Sequence, residues 1–212
     1  MTALRTAAVL LAAGRSLRHS QPHKLYRHLH GTPLGLHAAR TAAELSPTAM
    51  VAVCSSATRE LEADLTALGF RTVWNEDPAR GLASSLAIGV RAAQHHMVDA
   101  ILICLADMPF VTVDHLRALV ARLDIAAGVK SVGSRVVGST SIMPPAVFGG
   151  DLIGQLLALE GDRGAGAMLA RGAAIEASAW TLADLDDPEA FEALDEKSDA
   201  TGNANLARLD GK

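Results

Sequence analysis

Between Ala7 and Lys24 the chain reads AAVLLAAGRSLRHSQPHK, an apolar run that empties into a small glycine turn and then into cations. The run from Ala7 to Ala12 is short and is followed at once by glycine, the pattern of a central strand buried in a parallel sheet. The loop beyond it combines backbone N–H groups, the small residues Ala13 and Gly14, and the charges of Arg15, Arg18 and Lys24. That combination suits a polyphosphate. Glycine can take dihedrals closed to other residues and let the backbone come close to a ligand. Arginine supplies a two-pronged donor and lysine a point charge. The same residues would also make an ordinary solvated loop behind a buried strand. The loop has neither the Gly-Lys-Ser/Thr ending of a Walker A sequence nor the three spaced glycines of a dinucleotide fingerprint.

A second group able to do chemistry is Asp107, which follows the apolar run Ala100 to Ala106 and is fixed by Pro109. An acid in that place projects from the carboxyl edge of a sheet, where open α/β proteins hold their ligands. Mg²⁺ takes one or two carboxylates and leaves its other positions to phosphate oxygens and water. A plain polar turn is the competing reading. A late cluster, Asp184, Asp186, Asp187, Glu189 and Glu192, offers more carboxylates, either for a metal or for the N-terminus of a helix opening at Pro188. Zinc is not expected. His19 and His23 have helical spacing, but Pro22 stands between them and no cysteine or acid lies near.

The elements that must position these groups follow from the rest of the chain. Ala49 to Cys54 and Arg71 to Trp74 read as strands, with helices over Leu34 to Ser46, Ala57 to Leu68, Ser84 to His95 and Thr112 to Ala126. Val129 to Val137 reads as a strand, Gly138 to Pro145 as a loop, Val147 to Leu159 as mainly helical, and a further helix opens at Gly161 to Gly164. Ala173 to Trp180 is the last strand. The alternation implies an α/β fold: a doubly wound three-layer sandwich with a mostly parallel central sheet. Length fits one domain, residues 1–196, with a polar tail over 197–212.

Composition bounds the function. Half of the 212 residues are hydrophobic, with only two Trp, one Tyr and four Phe, so the core is aliphatic. A net charge of -4 argues against a broadly basic nucleic-acid surface. No acid precedes Glu44, whereas Arg5, Arg15, Arg18, Lys24, Arg27 and Arg40 do. A cationic beginning folded against an acidic end suits an anionic ligand held with a divalent metal. Cys54 and Cys104 sit in apolar runs as small hydrophobes, which fits a reduced, cytoplasmic location. No run approaches the ~20 apolar residues of a membrane span.

The opening LAAGRSLRHSQPHKL resembles the L-x-A-G-x-S-x-R-x-G-x-x-K signature of nucleotidyltransferases, particularly the molybdenum cofactor cytidylyltransferase family. Further segments are similar in the same order: GLASSLAIGV from Gly81, LADMPFV from Leu105, PPAVFG from Pro144, GDRGAGAML from Gly161 and DLDDPEAF from Asp184. Each is short, but together they span nearly the whole chain. Ser20 stands where the family has Gly, and Gly166 where it often has Arg.

The resemblance implies a Rossmann-like nucleotidyltransferase fold and a Mg²⁺-dependent reaction. In it Lys24 and Arg18 would contact the triphosphate, and Leu11, Ala12, Ala13 and Gly14 would approach base and phosphate. Gly81, Ser84 and Ser85 would lie beside the base, although either serine could equally cap the helix that follows. Asp107 would be a metal ligand, joined by Asp186 ahead of Asp184. Ala-Ala-Gly in the opening loop goes with CTP in this family, which implies transfer of CMP to molybdenum-molybdopterin with release of pyrophosphate. The acceptor would meet Pro144, Pro145 and the Asp162 loop, and a molybdoenzyme would receive the product. Alternatives keep the fold but use a sugar phosphate or another phosphorylated acceptor, or make the protein a carrier of the cofactor or a plain nucleotide-binding module. No nucleic acid or membrane partner is expected.

Overall fold

The computed structural model describes residues 4–14, 23–161 and 164–185. Strand β1 (Thr6–Leu11) is buried along its whole length, because it lies inside the sheet with a strand on each side and core packed on both faces. After it come a small hairpin, β2 (His28–Leu29) and β3 (Thr32–Pro33), then α1 (Leu34–Glu44), β4 (Ala49–Cys54), α2 (Glu62–Ala67) and β5 (Arg71–Trp74). The chain continues through α3 (Leu82–Gln94), β6 (Ala100–Leu105), α4 (Val113–Arg122), β7 (Ser131–Val136) and β8 (Met143–Gly149). It closes with α5 (Ile153–Leu157), α6 (Gly166–Leu169) and β9 (Ala173–Ala177).

Seven strands form one sheet in the order β5-β4-β1-β6-β8-β7-β9. β4 and β6 flank β1 in parallel, and β5 lies parallel outside β4. β8 runs antiparallel to both β6 and β7, while β9 is parallel to β7. β7 and β9 therefore point the same way as β1 and β6. The sheet is mostly parallel, with helices on both faces.

Period-two alternation along β1 divides the core. Ala8, Leu10 and Ala12 face the layer that holds Leu36 and Ala39 of α1, Leu65 of α2 and Leu116 and Leu119 of α4. Ala7, Val9, Leu11 and Ala13 face Leu86 and Val90 of α3, Ile153 and Leu156 of α5 and Leu169 of α6. Helix α3 lies close on the sheet at Gly89, where a Cβ would stand 2.8 Å from Cγ2 of Val53 and nearer still to Val9. Gly89→Ala should therefore cost about 1–3 kcal/mol by overpacking, despite the better helix propensity of alanine. It should appear as a lower urea midpoint; an unchanged midpoint would show that α3 can lift off the sheet.

The antiparallel strand corrects the sequence reading. Residues 138–145 are not all loop, and Val147–Gly149 are not helical: Met143–Gly149 is a strand, and the helix is only Ile153–Leu157. Two prolines argue against a ladder strand, since neither donates a backbone hydrogen bond. Here they fall in a bulge, where the β7 register jumps from Gly133 opposite Ala146 to Ser134 opposite Met143. The Pro144–Pro145 peptide bond is cis. Other boundaries shift less. The helix expected over 57–68 is a 3₁₀ segment, Ser56–Leu61, followed by α2. Thr112 caps α4 by accepting from the His115 N–H, and α4 stops at Arg122 because Asp124 turns the chain into a bridge with Val129.

Both cysteines are buried thiols. Burial pushes Cys54 up to about 11 and Cys104 up to about 12, so neither carries appreciable thiolate near neutrality. A thiol-titrating disulfide reagent at pH 8 should label neither in the native protein and both in urea. Rapid native labelling of Cys54 would mean that the end of β4 opens. Among the described residues no helix is long and apolar enough to cross a membrane.

Candidate functional site at the carboxyl edge of the sheet

From β1 the chain passes to β4 and β5 on one side, then crosses to β6 on the other. The loops leaving β1 and β6 thus part above their carboxyl ends, which is where open α/β sheets form a crevice. The first of these loops stays in the sheet's hydrogen-bond frame beyond the strand. Ala12 N–H donates to the Val53 carbonyl at 2.8 Å, and Ala106 N–H donates to the Leu11 carbonyl at 3.1 Å. Leu11, Ala12 and Ala13 are buried, so their side chains belong to the core and only main chain is left to meet a ligand.

Gly14 is the first exposed residue of the loop. It does not adopt the left-handed backbone, and a Cβ at this position would meet none of the described residues within 4 Å. The expectation that Gly14 is there for unusual dihedrals is thus not what the structure shows.

His23 ties the far end of the loop to Gly14. Its Nδ1 accepts from the Leu25 N–H at 3.3 Å, which places the ring proton on Nε2, and Nε2 donates to the Gly14 carbonyl at 2.7 Å. Both ring nitrogens are thereby engaged by backbone groups. Among the described residues no group of three or more His, Cys, Asp or Glu is gathered. The sequence offered His23 only as a zinc candidate; a clasp between two ends of a loop has no signature in spacing.

Lys24 opens the short 3₁₀ turn Lys24–Tyr26 and is carried inward by it. Its ammonium meets the carboxylate of Asp107, Nζ to Oδ2 2.7 Å, with side chains only 8% and 24% exposed. Two residues 83 positions apart in sequence are brought together as a charge-assisted pair. Asp107 stands where expected, just past β6. Its own carbonyl accepts from the Leu185 N–H at 3.1 Å, which holds the end of the described chain against the same loop. Arg18, Asp162 and Asp186 lie outside the described residues.

On the β5 side the turn Gly81 has φ +93°, a backbone that glycine alone takes without strain, and it is the N-cap of α3. Ser84 and Ser85 therefore sit within the first turn of α3, and neither is its N-cap. Ser84 Oγ donates back to the Gly81 carbonyl at 2.8 Å. Both hydroxyls accept from the buried Asn75 side chain, at 2.9 and 2.8 Å, while Asn75 Oδ1 accepts from the Asp77 N–H. Asn75 thus fixes the start of α3 against the end of β5. The sequence reading passed over it, although a polar amide directly after a strand was the available signal.

On the other side, β8 runs backwards and so brings its first residues, including Pro144 and Pro145, to the edge where β1 and β6 end. The Pro145 carbonyl accepts from Ser134 Oγ at 2.7 Å, and Ser134 Oγ accepts in turn from His115 Nε2 at 2.8 Å. The edge thus has two halves around Lys24 and Asp107, one built from β4, β5 and α3, the other from β7, β8 and β9.

The chain is similar to known proteins. The chain is 34% identical over 197 residues to the purine catabolism protein PucB of Bacillus subtilis (strain 168), covering 87% of this chain and 93% of PucB. The solved structure of Rv0371c from Mycobacterium tuberculosis H37Rv superposes with a TM-score of 0.77 at 24% identity, covering 92% of this chain and 100% of that one. Rv0371c has also been solved in complex with manganese, with a TM-score of 0.71 at 20% identity over 91% of this chain and 98% of that one. A nucleotidyl transferase from Methanothermobacter thermautotroptrophicus superposes with a TM-score of 0.76 at 23% identity, over 93% of this chain and 99% of that one. At these identities the solved structures establish the fold, a Rossmann-like nucleotidyltransferase α/β fold. The MobA-like NTP transferase domain matches residues 8–177, and the chain belongs to that nucleotidyltransferase family.

Proposed function

We propose that the protein transfers CMP from CTP to the terminal phosphate of molybdenum-molybdopterin, with release of pyrophosphate. The observation that carries this reading is the Lys24–Asp107 pair at 2.7 Å above the ends of β1 and β6. A buried cation beside a hard oxygen donor, under an open glycine turn, is suited to a nucleoside triphosphate. The choice of CTP and of the acceptor rests on the Ala12-Ala13-Gly14 turn and on the motif order, which resemble the cytidylyltransferases.

Asp107 fits a divalent cation. Its carboxylate is one-quarter exposed and Lys24 is bonded to Oδ2, so the group is reachable and of the oxygen type that Mg²⁺ or Mn²⁺ prefers. Asp107, with Asp186 as the second candidate ligand, would hold the ion, which when bound neutralises charge on the triphosphate. The Lys24 ammonium would face the same phosphates, offsetting charge as pyrophosphate leaves; Arg18 is proposed for the same task. The main chain of Ala12 to Gly14 orients the nucleotide, and the first turn of α3, fixed by Asn75, borders the base. A phosphate acceptor is already a nucleophile at neutral pH, so no residue need act as general base. Rate then comes from holding acceptor and α-phosphate in line.

The test is to incubate the purified protein with Mg²⁺, each of the four NTPs and a panel of phosphorylated acceptors that includes molybdopterin, and to follow pyrophosphate. CTP with molybdopterin should be the productive pair. Turnover with GTP and none with CTP would overturn the base assignment, and CTP binding without pyrophosphate release from any acceptor would reduce the protein to a nucleotide-binding module or a carrier.

A further inference from the structure

On the β9 side of the crevice lies an aromatic pair, Phe110 partly buried against the core and Trp180 exposed. Phe110 and Trp180 stack with ring centroids 4.1 Å apart and planes inclined by 25°. Phe110 lies three residues past Asp107 on the loop that leaves β6. Trp180 belongs to the turn after β9, held by Ser178, which accepts from Thr181 N–H through its hydroxyl and from Leu182 N–H through its carbonyl. Because β9 is parallel to β7 and runs with β6, this turn emerges at the edge that carries Asp107 and Gly14.

Leu182 and Leu185 on the same turn are buried in the core, and Leu185 is bonded to Asp107. Trp180 nonetheless remains 53% exposed. Phe110 covers one face of the indole, so the exposure comes from its opposite face and edge. Beside it Val137, which is bonded to the Ala177 carbonyl, is 65% exposed. The turn is anchored, the ring is backed by a second ring, and both belong to loops at the sheet edge that carries Asp107. Stacked rings prefer an offset parallel neighbour, and a planar heterocycle is the ligand such a surface takes.

We propose that the Phe110–Trp180 stack is a specificity element that seats a planar ring of the acceptor, favouring a phosphorylated heterocycle over an aliphatic sugar phosphate. This rests on the nucleotidyl-transfer reading for the position of the acceptor. The seat itself is a binding claim and can be measured without turnover.

The experiment is calorimetric titration of the full chain with two probes, neopterin monophosphate and ribose 5-phosphate, for wild type, Trp180→Phe and Trp180→Ala. Circular dichroism would show that the variants keep the fold. The expected result is that Trp180→Ala weakens the pterin phosphate by about fivefold or more, Trp180→Phe by less, and neither changes ribose 5-phosphate. Equal losses for both probes would make Trp180 a structural residue and overturn the seat. So would wild-type affinity for the pterin phosphate in Trp180→Ala, or a flat wild-type titration. Failure of the two readings is separable. Pyrophosphate release with a sugar phosphate and no pterin binding removes the seat and keeps the transferase. Trp180-dependent pterin binding without release from any acceptor does the reverse.

Discussion

Asp107→Asn should lower pyrophosphate release about 10³-fold while leaving the fold intact. The asparagine Oδ1 can still accept a hydrogen bond from the Lys24 ammonium, so the contact seen at 2.7 Å survives with a neutral acceptor. What disappears is the negative charge that would hold a divalent cation at the triphosphate, and losing such stabilisation costs several powers of ten. The residual rate should recover in part at high Mg²⁺, because the defect is in metal affinity. Asp107→Ala is the poorer probe. It deprives an ammonium that is 8% exposed of this carboxylate, and breaking a buried ion pair from one side destabilises by about 3–5 kcal/mol when burial is complete. With Asp107 one-quarter exposed the penalty falls toward the lower end. The measurement is pyrophosphate release against Mg²⁺ concentration, beside a thermal melt. An Asp107→Asn enzyme within threefold of wild type would remove the carboxylate from the reaction.

Lys24→Met should reduce turnover by about 10²–10³-fold, the usual cost of deleting one charged donor aimed at developing negative charge. Methionine keeps the length and the packing of the stem, so the change isolates the ammonium. The Mg²⁺ midpoint should stay close to wild type, in contrast with Asp107→Asn, because the metal-binding oxygen remains. Lys24→Arg should not rescue, since a planar fork does not occupy the place of a compact ammonium in a turn this enclosed. Kinetics against both CTP and Mg²⁺ separate the two residues. If Lys24→Met shifted the Mg²⁺ midpoint and left the maximal rate unchanged, the lysine would serve to orient Asp107 and not the phosphates.

The sequence carried the architecture far because the core strands are nearly pure in pattern. β1, β4 and β6 are apolar runs ended by Gly, Ser or Asp, and a run of that length buried on two faces has few other places to go. The pairing of Lys24 with Asp107 was legible only as two motif fragments on separate loops; what joins them is the parallel register of β1 on β6, which sets both loops at one edge. β8 was missed because Pro144 and Pro145 speak against a strand and the reversal of direction leaves no local trace. His23 and Asn75 were missed for a different reason. Their work is done by hydrogen bonds to a carbonyl and to hydroxyl groups nine or ten residues away, across a loop or turn, and such bonds depend on how that loop or turn folds back.

The reversed strand also sets how this chain can change. A strand that enters the edge by its start brings its preceding connection, residues 137–142, to the reaction face, whereas a crossover helix would have returned that segment underneath. Lengthening or resequencing this connection should alter which partner molecule is admitted without disturbing the turn proposed to hold the triphosphate, because that turn hangs from β1 on the far side of β6. The two substrates can therefore be re-specified independently, and grafting a relative's 137–142 segment should move preference for one while leaving preference for the other in place.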